Sequence, residues 1–538
     1  MTFALSDIIT YLSPVVFLYP EIHYVFKWLP FSRYRIGEPE IIADAPYRVE
    51  PNRDLPVLLL VKDADKHPVR LTRAVITLSG GSNTAVHEIG INDLADSPWW
   101  RKIFNVKIPL DWRGQVLSVD VQIDYQIGGN NKTLHNDNCF GLSHDRLKVL
   151  AAKDPTPAFE NWFQGDLHFH TDYTSDQVEF GAPMDASVEM AYALGLSFFA
   201  ATDHSYDLDD YEDNYLLNDP VLKKWKRSRE EIKTLNKVNK DRMVIIPGEE
   251  VSCSNEEGRN VHCLVLDHDD FLPGSGDSAE RWFRTDAELT IGDVAKKVSS
   301  SGLMIAAHPK DPVPLLEKIL IRRGQWTDTD CRTKGISGLQ ILNGLDNGAF
   351  TEGLAQWVRQ LRDGSRSYIF AGNDAHGNFN RYRQVKIPML QLNEIENHQA
   401  FGWARTVVWL DQDALTVKNI IKHLRCGHAV VSNGPLTVFT VHNENGEIFR
   451  IGETATGNNF KLMLRSKSNA ALGSFSEIKV IAGQIGKQEA VVDKFQSQSH
   501  FIEHEFTVSS AAFSYFRCEA RTFENLFCYT NPIWIEKR

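Results

Sequence analysis

Across the middle of the chain, short apolar runs end one after another on histidine, aspartate or glutamate. The runs cover residues 197–201, 243–246, 261–266, 303–307, 336–342 and 368–371, and a shorter one near 163–168 makes seven. Residues 185–194, 291–298 (with Thr290 as N-cap) and 352–361 carry helical spacing between them. Continuous apolar runs alternating with amphipathic helices predict a largely parallel sheet covered on both faces. Seven such units predict an α/β fold, a seven-stranded β/α barrel.

The residues that follow the runs carry the chemistry. They are Asp166, His168 and His170, then Thr202-Asp203-His204, Glu249-Glu250, His308-Pro309, Asn343, and Asn373-Asp374-Ala375-His376. In parallel α/β folds the reactive groups gather at the carboxyl ends of strands. His262 lies nearer the start of its run and fits that pattern less closely. Side chains i and i+2 share one face of a strand, so His168 and His170 reach a common ion, as do Asp374 and His376. Imidazoles with carboxylates, and no cysteine set, suit zinc, manganese or iron.

Outside this block the texture changes. Residues 41–155 show short alternating strands with Gly and Asn turns, which predict a β-sandwich, and residues 429–538 repeat that texture. The central block of residues 156–428 is thus expected between two β-sandwich-like domains. Residues 1–40 form an N-terminal apolar segment, whose run 8–29 is broken by Pro14, Pro20, Glu21 and His23. A spanning helix needs about 20 predominantly apolar residues. The first basic side chain is Lys27, so a basic leader region is missing. This run is expected to pack on its own protein, with weak membrane-surface association as the alternative.

A net charge of −12 disfavours nucleic acid and anionic membrane as partners. Seven cysteines, odd in number and without a CxxC, point to a reducing compartment, and a cytoplasmic location is expected.

The motifs DLHFHT, TDH, PGEE, the later His262, AHP and NDAH together resemble the PHP (polymerase and histidinol phosphatase) superfamily of metal-dependent phosphoesterases over residues 161–434. The resemblance implies a PHP-type barrel and nine metal ligands: His168, His170, Asp176, His204, Glu250, His262, His308, Asp374 and His376. It implies three divalent ions at a trinuclear site, with Glu250 bridging two of them. The choice of Glu250 over Glu249 rests on the Gly-x-Glu alignment.

The expected activity is hydrolysis of a small phosphomonoester or phosphodiester by a metal-bound hydroxide. Asp166 and Asp203 are assigned to the catalytic machinery as groups that orient imidazoles, with turn capping as the alternative. Lys310, Arg381 and Arg383 are candidates for gripping phosphate, whereas Arg323 and Arg259 are expected in surface salt bridges. The insert 208–240, rich in Asp, Glu and Lys, is expected as either a lid or a solvated helix. Two rival functions remain: metal-dependent C–N or C–O hydrolysis, and a non-catalytic binding scaffold.

Overall fold

The computed structural model describes residues 37–139, 143–174, 181–212, 214–278, 285–298, 302–377, 379–381, 384–387, 390–393, 399–509 and 513–536. The apolar run 8–29, Asp176 and Arg383 lie outside the described residues. The chain divides into two compact units. The first comprises Met1–Pro155, Ser175–Gly195 and His376–Ala400; the second comprises Thr156–Thr174, Leu196–Ala375 and Phe401–Arg538.

The first unit holds two sheets over one apolar core. One is antiparallel, with Leu55–Lys62 between Glu40–Asp44 and Trp99–Val106. The other runs in the order Arg48–Val49, Leu147–Ala151, Val116–Ile127, Val69–Gly80, Asn83–Ala95. Its pattern follows from strand geometry. In Val116–Ile127 the buried residues Leu117, Val119, Val121, Ile123 and Tyr125 recur at every second position and meet the core. The helix Met184–Leu194 belongs to this unit and stops at Gly195, whose φ of +85° a side chain would resist.

The second unit corrects the expected barrel. Strand makes up 45% of the described residues and helix only 16%. The apolar runs do form strands, namely Trp162–His170, Phe198–Ala201, Val244–Ser254, Asn260–Leu266, Leu303–Ala306, Ile336–Asn343 and Tyr368–Gly372. Their pairing is mixed, because Asn260–Leu266 is antiparallel to both of its neighbours. The ring does not close either. On the side away from Phe198–Ala201, Trp162–His170 pairs antiparallel with Arg405–Trp409. The sheet then continues through Ala429–Ser432 into Phe527–Thr530, Tyr515–Thr522, Phe475–Gly483 and Ala490–Ser497. The C-terminal strands are therefore split: those just named continue this sheet, whereas Ile448–Arg450, Leu436–Asn443, Asn459–Lys467 and Phe501–Ser509 form a four-stranded sheet of their own.

Side chains satisfy the terminal strand at the other end of this path. Asn531 Oδ1 accepts from Ile369 N at 2.7 Å, and its Nδ2 donates to Ile369 O at 3.3 Å. Thr406 Oγ1 accepts from Ala371 N and donates to Ala371 O, at 2.8 and 2.9 Å. Backbone groups that a closing strand would pair are met by an amide and a hydroxyl instead.

Two expected helices appear here with their caps. Thr290 and Asp293 form a reciprocal capping box at the start of Ile291–Lys297, and Asn347 caps Gly348–Arg362. No described helix is long and apolar enough to cross a membrane.

Candidate metal centre

Seven of the nine expected ligands lie in the second unit and converge on Glu250. Strand alternation decides which glutamate faces them. Glu250 N donates to Asp203 O at 3.0 Å, which sets Glu250 beside His204. Its neighbour Glu249 turns the other way, accepting from Trp225 Nε1 and Arg229 Nη2 at 2.7 Å each and from Leu272 N at 3.2 Å. Trp225 and Arg229 belong to the helix Lys223–Val238, so much of the insert docks on the back of this strand. Asn236 reinforces that docking by bonding both N and O of Ile245.

Five imidazoles face the Glu250 carboxylate. Its Oε2 lies 3.2 Å from His168 Nε2, 3.2 Å from His170 Nε2 and 3.1 Å from His204 Nδ1. Its Oε1 lies 2.6 Å from His262 Nδ1 and 3.1 Å from His308 Nε2. Asp374 Oδ1 adds contacts of 3.2 Å to His168 and 3.1 Å to His170. Two groups of metal-type donors share Glu250: His168, His170 and Asp374 with it in one, His204 and His262 with it in the other.

The donor set fits divalent cations. Glu250 Oε2 is buried and accepts no hydrogen bond among the described residues, although three imidazole nitrogens stand within 3.2 Å. Such convergence without hydrogen-bond geometry is what a cation among the donors would require. The tautomers agree. Asp277 Oδ2, 3.0 Å from His262 Nε2, is placed to accept its N–H in the tautomer that turns the Nδ1 lone pair towards Glu250. Gln340 Oε1 does the same to His168 Nδ1 at 2.9 Å.

Electrostatics tell the same story. Burial works against charge on His170, but Asp374 and Glu250 outweigh it and push its pKa up to about 10. Burial and Arg323 oppose charge on His262, and Glu250 with Asp277 raise it to about 9. His168 is raised against burial by Glu250 and Asp374. Burial, then His170, drives His204 down to about 4. Glu250 and Asp374 are held well below the carboxylate range by these imidazoles despite burial. The cluster therefore draws in positive charge, as protons or as metal.

Backbone strain marks the same place. His308 has φ of +26° and Asp374 of +53°. Non-glycine residues held there cost on the order of 1–3 kcal/mol each, and persist where the surroundings dictate them.

Asp166 and Asp203 accept from backbone, amide and hydroxyl groups. Asp166 is fully buried and accepts from His168 N, Asn373 N, Asn373 Nδ2 and Gly402 N. Burial pushes its pKa up to about 6. Asp203 accepts from Thr171 N and Oγ1 and from Thr174 N and Oγ1. It cinches the turn after His170, and Thr174 Oγ1 in turn sits 3.2 Å from His170 Nδ1.

The cationic candidates fare differently. Lys310 Nζ donates to Trp326 O at 2.7 Å. Arg381 lies in the first unit, buried, bonding Ala43 O and Asp145 O and pairing with Asp137 at 3.5 Å. Arg323 is no surface salt bridge: it pairs with buried Asp277 and contacts His262. Arg259 is half-buried, and its Nη1 donates to a backbone carbonyl, Lys318 O, rather than to a carboxylate. His376 is buried in the first unit. With Asp176 outside the described residues, the implied trinuclear count is unsupported, and the second unit by itself gathers two donor groups.

Sequence reasoning missed Asp277, Gln340 and Thr174. Gln340 left one signal, a lone amide inside the apolar run 336–342. Asp277 left none, since nothing local distinguishes it from other loop aspartates.

No family model and no curated protein matches this chain. Among solved structures, a β-glucuronidase from Parabacteroides merdae aligns with a TM-score of 0.18 and 7% identity, over 93% of this chain. The chain spans 64% of that structure's length. A cycloisomaltooligosaccharide glucanotransferase from Paenibacillus sp. aligns at 0.14 and 9%, over 93% of this chain and 72% of that one. Likeness at this level carries no argument about fold or chemistry.

Proposed function

We propose that this chain is a metal-dependent hydrolase of a small phosphoester. The observation that carries the proposal is the single buried carboxylate, Glu250, faced by five imidazoles, two of which have a side-chain oxygen within hydrogen-bond distance of the other ring nitrogen. Divalent ions bound there supply charge that neutralises phosphoryl oxygens and acidifies water.

Charge balance favours an anionic substrate over a neutral amide or ester. The two donor groups contain two carboxylates, Glu250 and Asp374, and otherwise neutral imidazoles. A divalent ion in each group leaves the site net positive, which a phosphoester oxyanion matches. Asp277 adds no compensating charge, because Arg323 pairs with it. His168, His170 and His204 hold position through the strand Trp162–His170 and the bridge between His204 and Glu250. Asp166 and Asp203 tie down the loops that carry them. A cytoplasmic location belongs to the proposal, supported by cysteines that form no disulfide among the described residues.

Metal content per chain, measured for the purified protein and for a His168→Ala/His170→Ala variant, tests the site. Bound transition metal in the first, reduced in the second, is expected, with phosphate released from phosphomonoesters, or a monoester and an alcohol from phosphodiesters, only by the first. A wild-type protein that takes up neither zinc nor manganese would overturn the proposal and favour a binding scaffold. Metal uptake with turnover of amides alone would favour C–N hydrolysis.

A further inference from the structure

Resting on that metal-site reading, we propose that Asp311, Asn343 and Gln340 are positioning residues, a hydrogen-bond relay that holds His168 in one tautomer and aims its Nε2 into the site. The direction of the relay follows from donor and acceptor chemistry. An aspartate carboxylate accepts and does not donate, so Asn343 presents Nδ2 to Asp311 Oδ2 at 3.0 Å. That leaves Asn343 Oδ1 to accept from Gln340 Nε2 at 3.1 Å. Gln340 Oε1 is then the atom facing His168 Nδ1 at 2.9 Å, and the imidazole must carry its hydrogen there. Reversing either amide would set oxygen against oxygen at one link.

The backbone is shaped for this. Residues 340 and 343 lie three apart, and in a regular strand they would point to opposite faces. The register of Ile336–Asn343 against Tyr368–Gly372 shifts between Gln340 and Leu342. Such an irregularity re-aims the side chains beyond it and lets the two amides meet. Gln340 is 1% exposed, with buried Leu339 and Ile341 as chain neighbours. A buried amide is costly unless both ends are bonded, and the relay bonds both. Asp311 closes the outer end, half-exposed on the loop after His308, with its Oδ2 3.9 Å from His308 Nδ1 and beyond hydrogen-bond length.

The test measures zinc and manganese affinity of the purified full chain in chelator-buffered solution, with thermal melting of the metal-free protein as the control for folding. Gln340→Met keeps the shape and removes the acceptor; Gln340→Glu keeps the acceptor and adds a buried charge. The relay predicts a 10–100-fold loss of affinity for Gln340→Met, the usual effect of removing a partner behind a metal-binding histidine. It predicts a smaller loss for Gln340→Glu, which keeps the acceptor facing His168 Nδ1 although its second oxygen then meets Asn343 Oδ1. A packing role predicts the opposite order, because methionine packs and a buried charge does not.

Asp311→Ala, at a half-exposed position, guards against misfolding of the core variants. It should weaken binding several-fold, and adding it to Gln340→Met should cost nothing further, since the two act through one path. Full affinity in Gln340→Met, or in Asp311→Ala where Gln340→Met does not fold, overturns the relay and leaves the metal reading standing. Additive losses also overturn it. A wild-type chain that binds neither metal overturns both.

Discussion

Replacing Glu250 with glutamine tests the centre at its most connected point. The substitution preserves shape and removes one negative charge from a carboxylate whose two oxygens face five imidazole nitrogens at 2.6–3.2 Å. A unit charge pair at about 4 Å is worth roughly 4 kcal/mol at the effective dielectric of such sites. At about 1.4 kcal/mol per decade, Glu250→Gln should weaken metal binding by roughly a thousandfold or more. The assay is competition against a chelator of known affinity, followed by metal analysis after desalting. Glu249→Gln is the internal control, because that side chain faces Trp225, Arg229 and Leu272. It should leave affinity within about threefold, the scale of a substitution that touches no donor. Equal losses in the two variants, or a larger loss in Glu249→Gln, would refute the assignment of strand faces and the metal centre built on it.

Three further outcomes follow. Metal affinity should rise with pH: His170 and His262, raised to about 10 and about 9, hold protons that the ion displaces. Conversely, the stability these protonated imidazoles lend the metal-free protein is full below about pH 6.5, their unfolded value, and is lost as pH rises through 9–10. Calorimetry in buffers of different ionisation enthalpy should detect proton release near pH 7, and none would contradict the cluster's charge balance. Asp203→Ala should destabilise the fold by roughly 3–5 kcal/mol by stranding the Thr171 and Thr174 donors, read as a fall in melting temperature; an unchanged melt would refute its structural role. Asn531→Leu should cost about 1–3 kcal/mol by baring Ile369 N and O at the end of the sheet, and denaturant titration that finds no loss would refute the edge cap.

How much was legible before folding is clearest at particular residues. His168 and His170 announce a shared face because strand alternation is local, and the structure places both against Glu250. The helices at 291–298 and 352–361 were readable for the same reason, the first with Thr290 as its cap, whereas the second begins earlier, at Gly348, on an Asn347 cap that went unread. Asp166 shows the limit. Its spacing placed it on the His168 face, yet its oxygens went to Asn373 and Gly402, more than two hundred residues away in sequence. Arg381 shows it again, since its guanidinium reaches carbonyls of strands and loops from the opposite part of the chain.

The sequence by itself determined where strands begin, which residues alternate to which face, and that metal-type donors follow apolar runs. These are properties of neighbours, set by backbone geometry within a few residues. Only the tertiary structure decided that Trp162–His170 lies beside Arg405–Trp409, that the ring stays open, and that the sheet runs on into the C-terminal strands. Nor could any local pattern show that Asp277 and Gln340 stand behind His262 and His168. Strand partners and hydrogen-bond partners distant in sequence are selected by the free energy of the whole packed unit, where burial of apolar faces and satisfaction of every buried polar group are settled together.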